Sequence, residues 1–283
     1  MTSIREALKD AASLLVNQHD NAMFEAEVLL AHTLEKNRTY LHTWPERALS
    51  ETELATFKQL VTRRCKGEPS AYITGEQEFW SLSLKVTPAT LIPRPETELL
   101  VELALEHIPA DTTCHIADLG TGSGAIALAL ASERPQSKIV AVDFSADALA
   151  VAEHNRAQHS LNNLTLMQGD WLAPLTEQTF QVIVSNPPYI REDDRHLNEG
   201  DLPFEPRSAL VAIDNGLDDI RIIIDHSRAQ LTDDGWLLIE HGYDQSDDVA
   251  QLFEQHGYHN ITAHHDLSKQ PRVVCAQYNV SKT

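Results

Sequence analysis

Two stretches of the 283-residue chain carry residue types that can do chemistry, and the first is Asn186-Pro187-Pro188-Tyr189, directly after the apolar run Val182-Ile183-Val184. Adjacent prolines remove two backbone donors and fix two φ angles, so neither a helix nor a strand ladder continues through them. What remains is a rigid corner with fixed acceptors. The Asn186 side-chain oxygen and the Pro187 carbonyl can each take one N–H of a planar NH2 group, while the Tyr189 ring stacks on its flat face. Because the prolines hold these acceptors still, little ordering entropy is left to lose when a ligand arrives. The corner is therefore a preorganised clamp for an amide or amine nitrogen.

The second stretch is Gly120-Thr121-Gly122-Ser123-Gly124, between the apolar segment HIADL and the helical pattern Ala125–Glu133. Glycines let the backbone turn sharply and approach a ligand without a Cβ in the way. Asp143 lies 23 positions after Gly120, at the end of the next apolar segment, where a carboxylate can accept from ribose hydroxyls. Together they mark a nucleoside-type cofactor site. The loop also satisfies the dinucleotide form G-x-G-x-x-G/A, so the pattern alone leaves NAD open. Asp118 points the other way, because a carboxylate beside the ligand suits a sulfonium or its ammonium and suits a pyrophosphate badly. Asp170-Trp171 add a polar group and an aromatic face on which an adenine can rest. With a sulfonium methyl held ~3 Å from the clamped nitrogen, an in-line displacement needs only positioning and electrostatics. No metal or covalent nucleophile is required. His256, His259, His264 and His265 fall on alternating strand positions and loops without a Cys partner, which argues against a metal site.

The composition narrows the partners. The net charge is −20, with 42% hydrophobic and 23% charged residues, as expected of a folded globular protein. Residues 1–94 carry 11 Lys and Arg against 12 Asp and Glu, and residues 95–283 carry 11 against 30. So acidic a catalytic half repels phosphate backbones, and a protein substrate is preferred over nucleic acid. Cys65, Cys114 and Cys275 are scattered and odd in number, which suits a reducing cytosol. No leader pattern or apolar run of membrane length is present, so a cytoplasmic location is expected. The densest basic cluster is Arg63, Arg64 and Lys66, read as a solvated helix end or a partner contact. Asp193-Asp194 fall in a loop after the proline corner.

These groups need a scaffold. Ile4, Leu8, Ala11 and Leu15 follow Ser3-x-x-Glu6, Met23, Ala26, Leu30 and Leu34 repeat the spacing, and Leu54, Phe57 and Val61 follow Ser50-x-x-Glu53. Helical periods behind two capping-box patterns predict an all-helical domain over residues 1–71. Alternating Phe79, Leu82, Leu84 and Val86 predict a β-hairpin connector over 72–94, and Pro95-Glu96-Thr97-Glu98 reads as a helix start. From residue 95 to 283, seven strand patterns alternate with helices, including helices near Ala148–His159, Asp219–Leu231 and Asp247–His256. That order predicts an α/β doubly wound, mostly parallel seven-stranded sheet whose last two strands, linked by Asp266 to Pro271, pair antiparallel. In it, the glycine loop and the proline corner share the carboxyl edge of the sheet.

With IPRPETELLVE, DLGTGSGAIALAL, VSNPPYI, FEPRSAL and LLIEHGYDQ in this order, the chain from about Gly67 onward resembles the bacterial glutamine methyltransferases of peptide chain release factors, the HemK/PrmC family. The resemblance implies the S-adenosylmethionine-dependent methyltransferase fold, S-adenosylmethionine as methyl donor, and the glutamine of a Gly-Gly-Gln loop in a translation termination factor as acceptor at its side-chain nitrogen. It implies that Asp118, Gly120 to Gly124, Asp143, Trp171 and Asn186 hold the donor. It implies that Asn186, Pro187, Pro188 and Tyr189 hold the glutamine, with Asn186, Pro187 and Tyr189 catalytic. The N-terminal helices resemble the family only in length and character, and they are expected to dock the substrate. Members end their sheet with an Asp-Leu…Arg stretch, here Asp266-Leu267 to Arg272, but the intervening SKQP lacks the expected glycine. Rival readings are a glutamine methyltransferase of a large-subunit ribosomal protein and a methyltransferase of exocyclic amines in DNA or RNA, which share the proline corner. An NAD-dependent oxidoreductase would leave that corner unexplained, and a non-catalytic binding module would not need both stretches.

Overall fold

The first helix is set by its cap. The Ser3 hydroxyl accepts from the Glu6 N–H while the Glu6 carboxylate accepts from the Ser3 N–H, which closes a capping box at the start of α1 (Ile4–Leu15). Ser50 and Glu53 repeat this at α4 (Glu51–Arg64). Between them lie α2 (Ala22–Leu34) and α3 (Arg38–Thr43), and α5 (Ser70–Thr74) follows. In this computed structural model, which describes residues 2–16 and 21–279, the five helices share one core around Ile4, Leu15, Leu29, Leu30, Leu41 and Phe57. Met23 is not in that core. Helix α2 is apolar on most of its surface, so its phase is ambiguous in sequence, and it buries Ala22, Ala26, Leu29 and Leu30 while leaving Met23 46% exposed.

The chain divides into two compact units, Met1–Glu76 with Asn198–Phe204, and Gln77–Leu197 with Glu205–Thr283. Within the first unit Arg64 is buried rather than solvated. Its guanidinium reaches Glu25 at 3.1 Å and Asp201 at 3.0 Å and donates to the Gly67 and Glu68 carbonyls. Arg63 is paired with Glu68. The expected basic cluster is thus largely neutralised from inside its own unit.

A hairpin, β1 (Glu76–Phe79) and β2 (Leu82–Lys85), starts at the last residue of the first unit's main segment and precedes α6 (Glu98–Glu106) of the second. Then come β3 (His115–Leu119), α7 (Ala125–Glu133), β4 (Lys138–Asp143), α8 (Ala146–Gln158), β5 (Leu164–Gln168) and β6 (Phe180–Ser185). The chain continues through short 3-10 turns to α9 (Asp218–Ser227), β7 (Leu231–Glu240), α10 (Ser246–Gln255), β8 (His259–His265) and β9 (Pro271–Tyr278). The helix expected to reach Leu231 ends at Ser227. Leu231 sits at helical spacing from Ile220, Ile223 and Ile224, but it pairs with Phe180, and the sheet captures it.

The sheet order is β5-β4-β3-β6-β7-β9-β8, parallel except that β9 runs against both its neighbours. Both faces are covered, and side chains alternate between two cores. Ile116, Val182, Val184 and Leu238 pack on one side with α6 and α7, and Leu119, Ile183, Leu237 and Ile239 on the other with α9 and α10. Each fully buried Leu, Ile or Val contributes roughly 1.5–3 kcal/mol. In the β8–β9 turn, Lys269 takes φ +61°, the left-handed conformation that favours the glycine this sequence lacks.

Replacing Arg64 by Ala removes a buried cation between two carboxylates. Because Glu25 and Asp201 keep side-chain exposures of 20% and 31%, the loss is expected at about 2–3 kcal/mol, below that of a fully buried pair. Urea unfolding of Arg64→Ala against wild type measures it.

Candidate active site

Strand β3 lies between β4 and β6, so the strand order reverses at its carboxyl end, the position where open α/β sheets bind ligands. In the β3–β6 register Leu119 is opposite Ser185, and the Ser185 hydroxyl donates to the Leu119 carbonyl at 2.7 Å. Gly120 and Asn186 are the next residues on each strand, so the glycine loop and the proline corner start side by side.

The loop is shaped by close approach. Gly120 adopts φ +74°, and a Cβ there would stand 3.1 Å from the Trp171 ring. The Gly120 and Thr121 N–H groups donate to the Val142 carbonyl at 2.9 and 3.0 Å. Asp143 accepts from the Gly122 N–H at 2.8 Å and the Ser145 N–H at 2.9 Å. Burial nevertheless pushes its pKa up against the pull of those two bonds. Asn155, fully buried, donates to the Ser123 carbonyl and exchanges bonds with both backbone groups of Lys85, so it ties the loop to the hairpin.

A cavity of about 270 Å³ opens beside the loop. Its wall includes Gly120, Gly122, Asp143, Asp170, Trp171, Asn186 and Pro188. Asp118, Thr121, Ser123 and Gly124 are not on the wall. Asp118 is buried beneath the loop, where its Oδ2 accepts from the Thr121 hydroxyl at 2.6 Å and the Ala127 N–H at 3.2 Å, and its Oδ1 has no partner. Burial pushes its pKa up to about 7. Pro187 is buried, and Tyr189 lines a second cavity of about 440 Å³ with Ile190, Arg191, Asp194 and Gln245. The corner therefore separates two cavities.

The wall of the first cavity also holds residues that sequence reasoning missed, namely Ala89, Thr90, Leu91, Phe144, Ser208, Ala209 and Asp219. Phe144 was findable as an aromatic directly after Asp143, and it is 78% exposed. Asp219, which accepts from the Trp171 indole, has no local sequence signal. Three carboxylates and no Lys or Arg line this wall. Such a lining repels a pyrophosphate and attracts a sulfonium or an ammonium, which decides the cofactor question the glycine pattern left open. The residues present fit S-adenosylmethionine.

The corner is held from several sides. The Asn186 Nδ2 donates to the Thr97 hydroxyl at 3.3 Å, and the Tyr189 hydroxyl donates to Glu240 at 3.4 Å. Burial drives the Tyr189 phenol well above its usual pKa, so it stays protonated. Gly216 packs against the Tyr189 carbonyl so closely that a Cβ would come within 2.1 Å of it. Ile190 pairs with the FEPRSAL segment, its N–H donating to the Leu210 carbonyl. From the same segment, buried Glu205 accepts from the Ile92 N–H at 3.0 Å and pairs with Arg94. Arg272 bonds Asp266 at 3.4 Å, so the Asp-Leu…Arg stretch closes on itself without its glycine.

Known proteins place the chain in a family. Residues 6–75 match the PrmC N-terminal domain and residues 97–200 the Methyltransferase small domain. A release factor glutamine methyltransferase of Vibrio cholerae is 49% identical over 282 residues, covering 99% of this chain and 98% of that protein. One of Escherichia coli is 47% identical over 271 residues, covering 96% and 97%. A crystal structure of a methyltransferase from Pyrococcus furiosus shares the fold at TM-score 0.54 and 15% identity, covering 70% of this chain and 90% of that one. The loop, the acidic cavity and the proline corner thus stand in a chain that belongs to the release factor glutamine methyltransferase family.

Proposed function

We propose that this enzyme methylates the side-chain amide nitrogen of the glutamine in a release factor's Gly-Gly-Gln motif, at a clamp formed by the Asn186-Pro187-Pro188-Tyr189 corner. The observation that carries this reading is the position of Asn186 on the wall of the acidic cavity, one register step from the glycine loop. When bound, S-adenosylmethionine supplies an electrophilic methyl group on a positively charged sulfur.

The residues of the chain do the rest. Gly120 and Gly122 let the backbone approach the donor, Asp143 accepts from its ribose, and Phe144 and Trp171 offer aromatic faces to its base. Asp118 acts from below by fixing the loop, and its Oδ1 has no hydrogen-bond partner. Thr121, Ser123 and Gly124 set the loop's path. With the Asn186 Nδ2 engaged by Thr97, its Oδ1 is left to accept one amide N–H, and the Pro187 carbonyl takes the other. The amide lone pair is normally delocalised into its carbonyl. Two acceptors on the N–H bonds favour the more pyramidal nitrogen that forms as the new C–N bond develops. The glutamine enters from the second cavity, where Tyr189 stacks on the carboxamide, and Pro188 keeps the corner rigid.

The helical unit over residues 1–71 docks the release factor, the 72–94 hairpin connects it, and residues 95–283 carry the chemistry. Exposed Leu14, Val16, Met23 and Phe24 give that unit an apolar surface suited to a protein partner. The acidic catalytic half disfavours nucleic acid as substrate, and among the described residues no helix is long and apolar enough to cross a membrane. The work is cytoplasmic, where release factors act.

Three outcomes follow. Calorimetry is expected to show S-adenosylmethionine binding and no NAD binding, with Asp143→Ala weakening the former by about 10–100-fold; preferential NAD binding contradicts the cavity assignment. Asn186→Ala is expected to slow transfer to a release factor about 100-fold or more while changing donor affinity far less, measured by transfer of labelled methyl. Replacing Met23 and Phe24 by Ser should raise KM for the release factor and leave turnover of a short glutamine peptide unchanged.

A further inference from the structure

The motifs IPRPETELLVE and LLIEHGYDQ each place one residue behind the clamp, Thr97 and Glu240. Glu240 is the last residue of β7. Strand alternation turns it to the same side as Leu238, toward the start of α6, and it is 1% exposed. There it meets Thr97, itself buried, whose hydroxyl lies beside the carboxyl and favours its ionised form. Thr97 in turn accepts from the Asn186 Nδ2 at 3.3 Å, and the other end of the corner reaches the same carboxyl through the Tyr189 hydroxyl at 3.4 Å. One buried carboxyl thus reaches the Tyr189 end of the clamp directly and the Asn186 end through Thr97. Its Oε2 makes no hydrogen bond of good geometry, and neither do His241 Nε2 or Arg272 Nε nearby. A buried polar cluster with spare valences in a native fold points to work other than stability.

Resting on the clamp reading above, we propose that Glu240 is the positioning residue that sets the orientation of the Asn186 amide, and that the clamp grips a carboxamide only while Glu240 is ionised. An ionised carboxylate only accepts, so the Thr97 hydroxyl points its proton at Glu240 and its lone pair at Asn186. That lone pair takes the Asn186 NH2 and leaves Oδ1 facing the substrate. A protonated Glu240 becomes a donor to Thr97. The Thr97 proton is then free to turn toward Asn186, which favours the flipped amide and sets an NH2 against the substrate NH2.

The charges around Glu240 place this switch in an accessible range. Burial pushes its pKa up to about 7, chiefly opposed by Thr97, then by Arg272 and Tyr189, and reinforced by Glu96. Asp266 pairs with Arg272, Arg94 acts on Tyr189, and burial keeps the neighbouring His241 neutral by lowering its pKa. Above about 7 the carboxylate is ionised and the clamp is set; as the pH falls below it, transfer declines, although the substrate amide does not titrate there.

The test is the pH profile of methyl transfer to a release factor for wild type, Glu240→Gln and Thr97→Val, with S-adenosylmethionine affinity measured by calorimetry and folding by thermal melting. Wild type should lose turnover as the pH is lowered through about 7. Glu240→Gln should be slower by about 10–100-fold in kcat, not KM, with the step gone and donor affinity retained. Glu240→Asp should recover part of the rate and restore a step. Thr97→Val should also lose the step, which keeps the test decisive if Glu240→Gln does not fold. A slow Glu240→Gln that keeps the wild-type step, or a fast one, overturns the proposal. Asn186→Ala separates the two readings: full activity in that variant defeats the clamp itself, whereas its loss beside a normal Glu240→Gln defeats only the role of Glu240.

Discussion

The site depends on one register. Leu119 and Ser185 stand opposite each other at the point where the strand order reverses, locked by the Ser185 hydroxyl on the Leu119 carbonyl. A slip of one residue would turn every alternating side chain of β6 to the wrong face, and both cores forbid it. The register therefore brings the two loops that leave these strands together without any further device. One loop is glycine-rich and the other proline-rich, and in the proposed function the first takes the donor's nucleoside and the second the carboxamide. On that reading their proximity makes a reaction site, because bringing nitrogen and methyl together in a fixed orientation removes much of the entropic barrier.

Rigidity is supplied by groups far apart in sequence. Glu205 ties Ile92 and Arg94 to the segment that lines the donor cavity, Gly216 lets the chain press on the Tyr189 carbonyl, and Asn155 joins the hairpin to the loop. Electrostatics are arranged in the same economical way. Asp143, Asp170 and Asp219 on the wall, with Asp118 beneath it, give the cavity an acidic lining that favours a cation. Asp118 and Glu240 share a side of the sheet at the carboxyl ends of β3 and β7, and burial raises the pKa of both. Buried carboxylates cost stability unless they hold something in place, and each of these holds one of the two loops.

Local signals in the sequence were faithful where local physics decides. The capping boxes at Ser3 and Ser50, the helix over Ala125–Glu133, the alternation of the strands and the antiparallel last pair all follow from spacing and residue type. The phase of α2 was misread at Met23, because a helix apolar on most sides gives no unique face. The α9 boundary was misread because pairing with Phe180 overrides helical spacing at Leu231. Arg64 looked like a surface charge, since nothing near it in sequence reveals Asp201, which lies 137 positions away. Glu240 had a signal, a carboxylate ending a buried apolar strand, but its partners Thr97 and Tyr189 come together only in the fold.

The central claim is that the proline-stiffened corner grips both amide hydrogens while its nitrogen faces the donor. A crystal structure of the enzyme with S-adenosylhomocysteine and a glutamine-containing peptide from a release factor tests it most directly. The account predicts the peptide carboxamide between the two cavities, its N–H groups on Asn186 Oδ1 and the Pro187 carbonyl and its nitrogen turned to the sulfur. An Asn186 side chain directed away from the carboxamide, or a closed wall between peptide and sulfur, would contradict it.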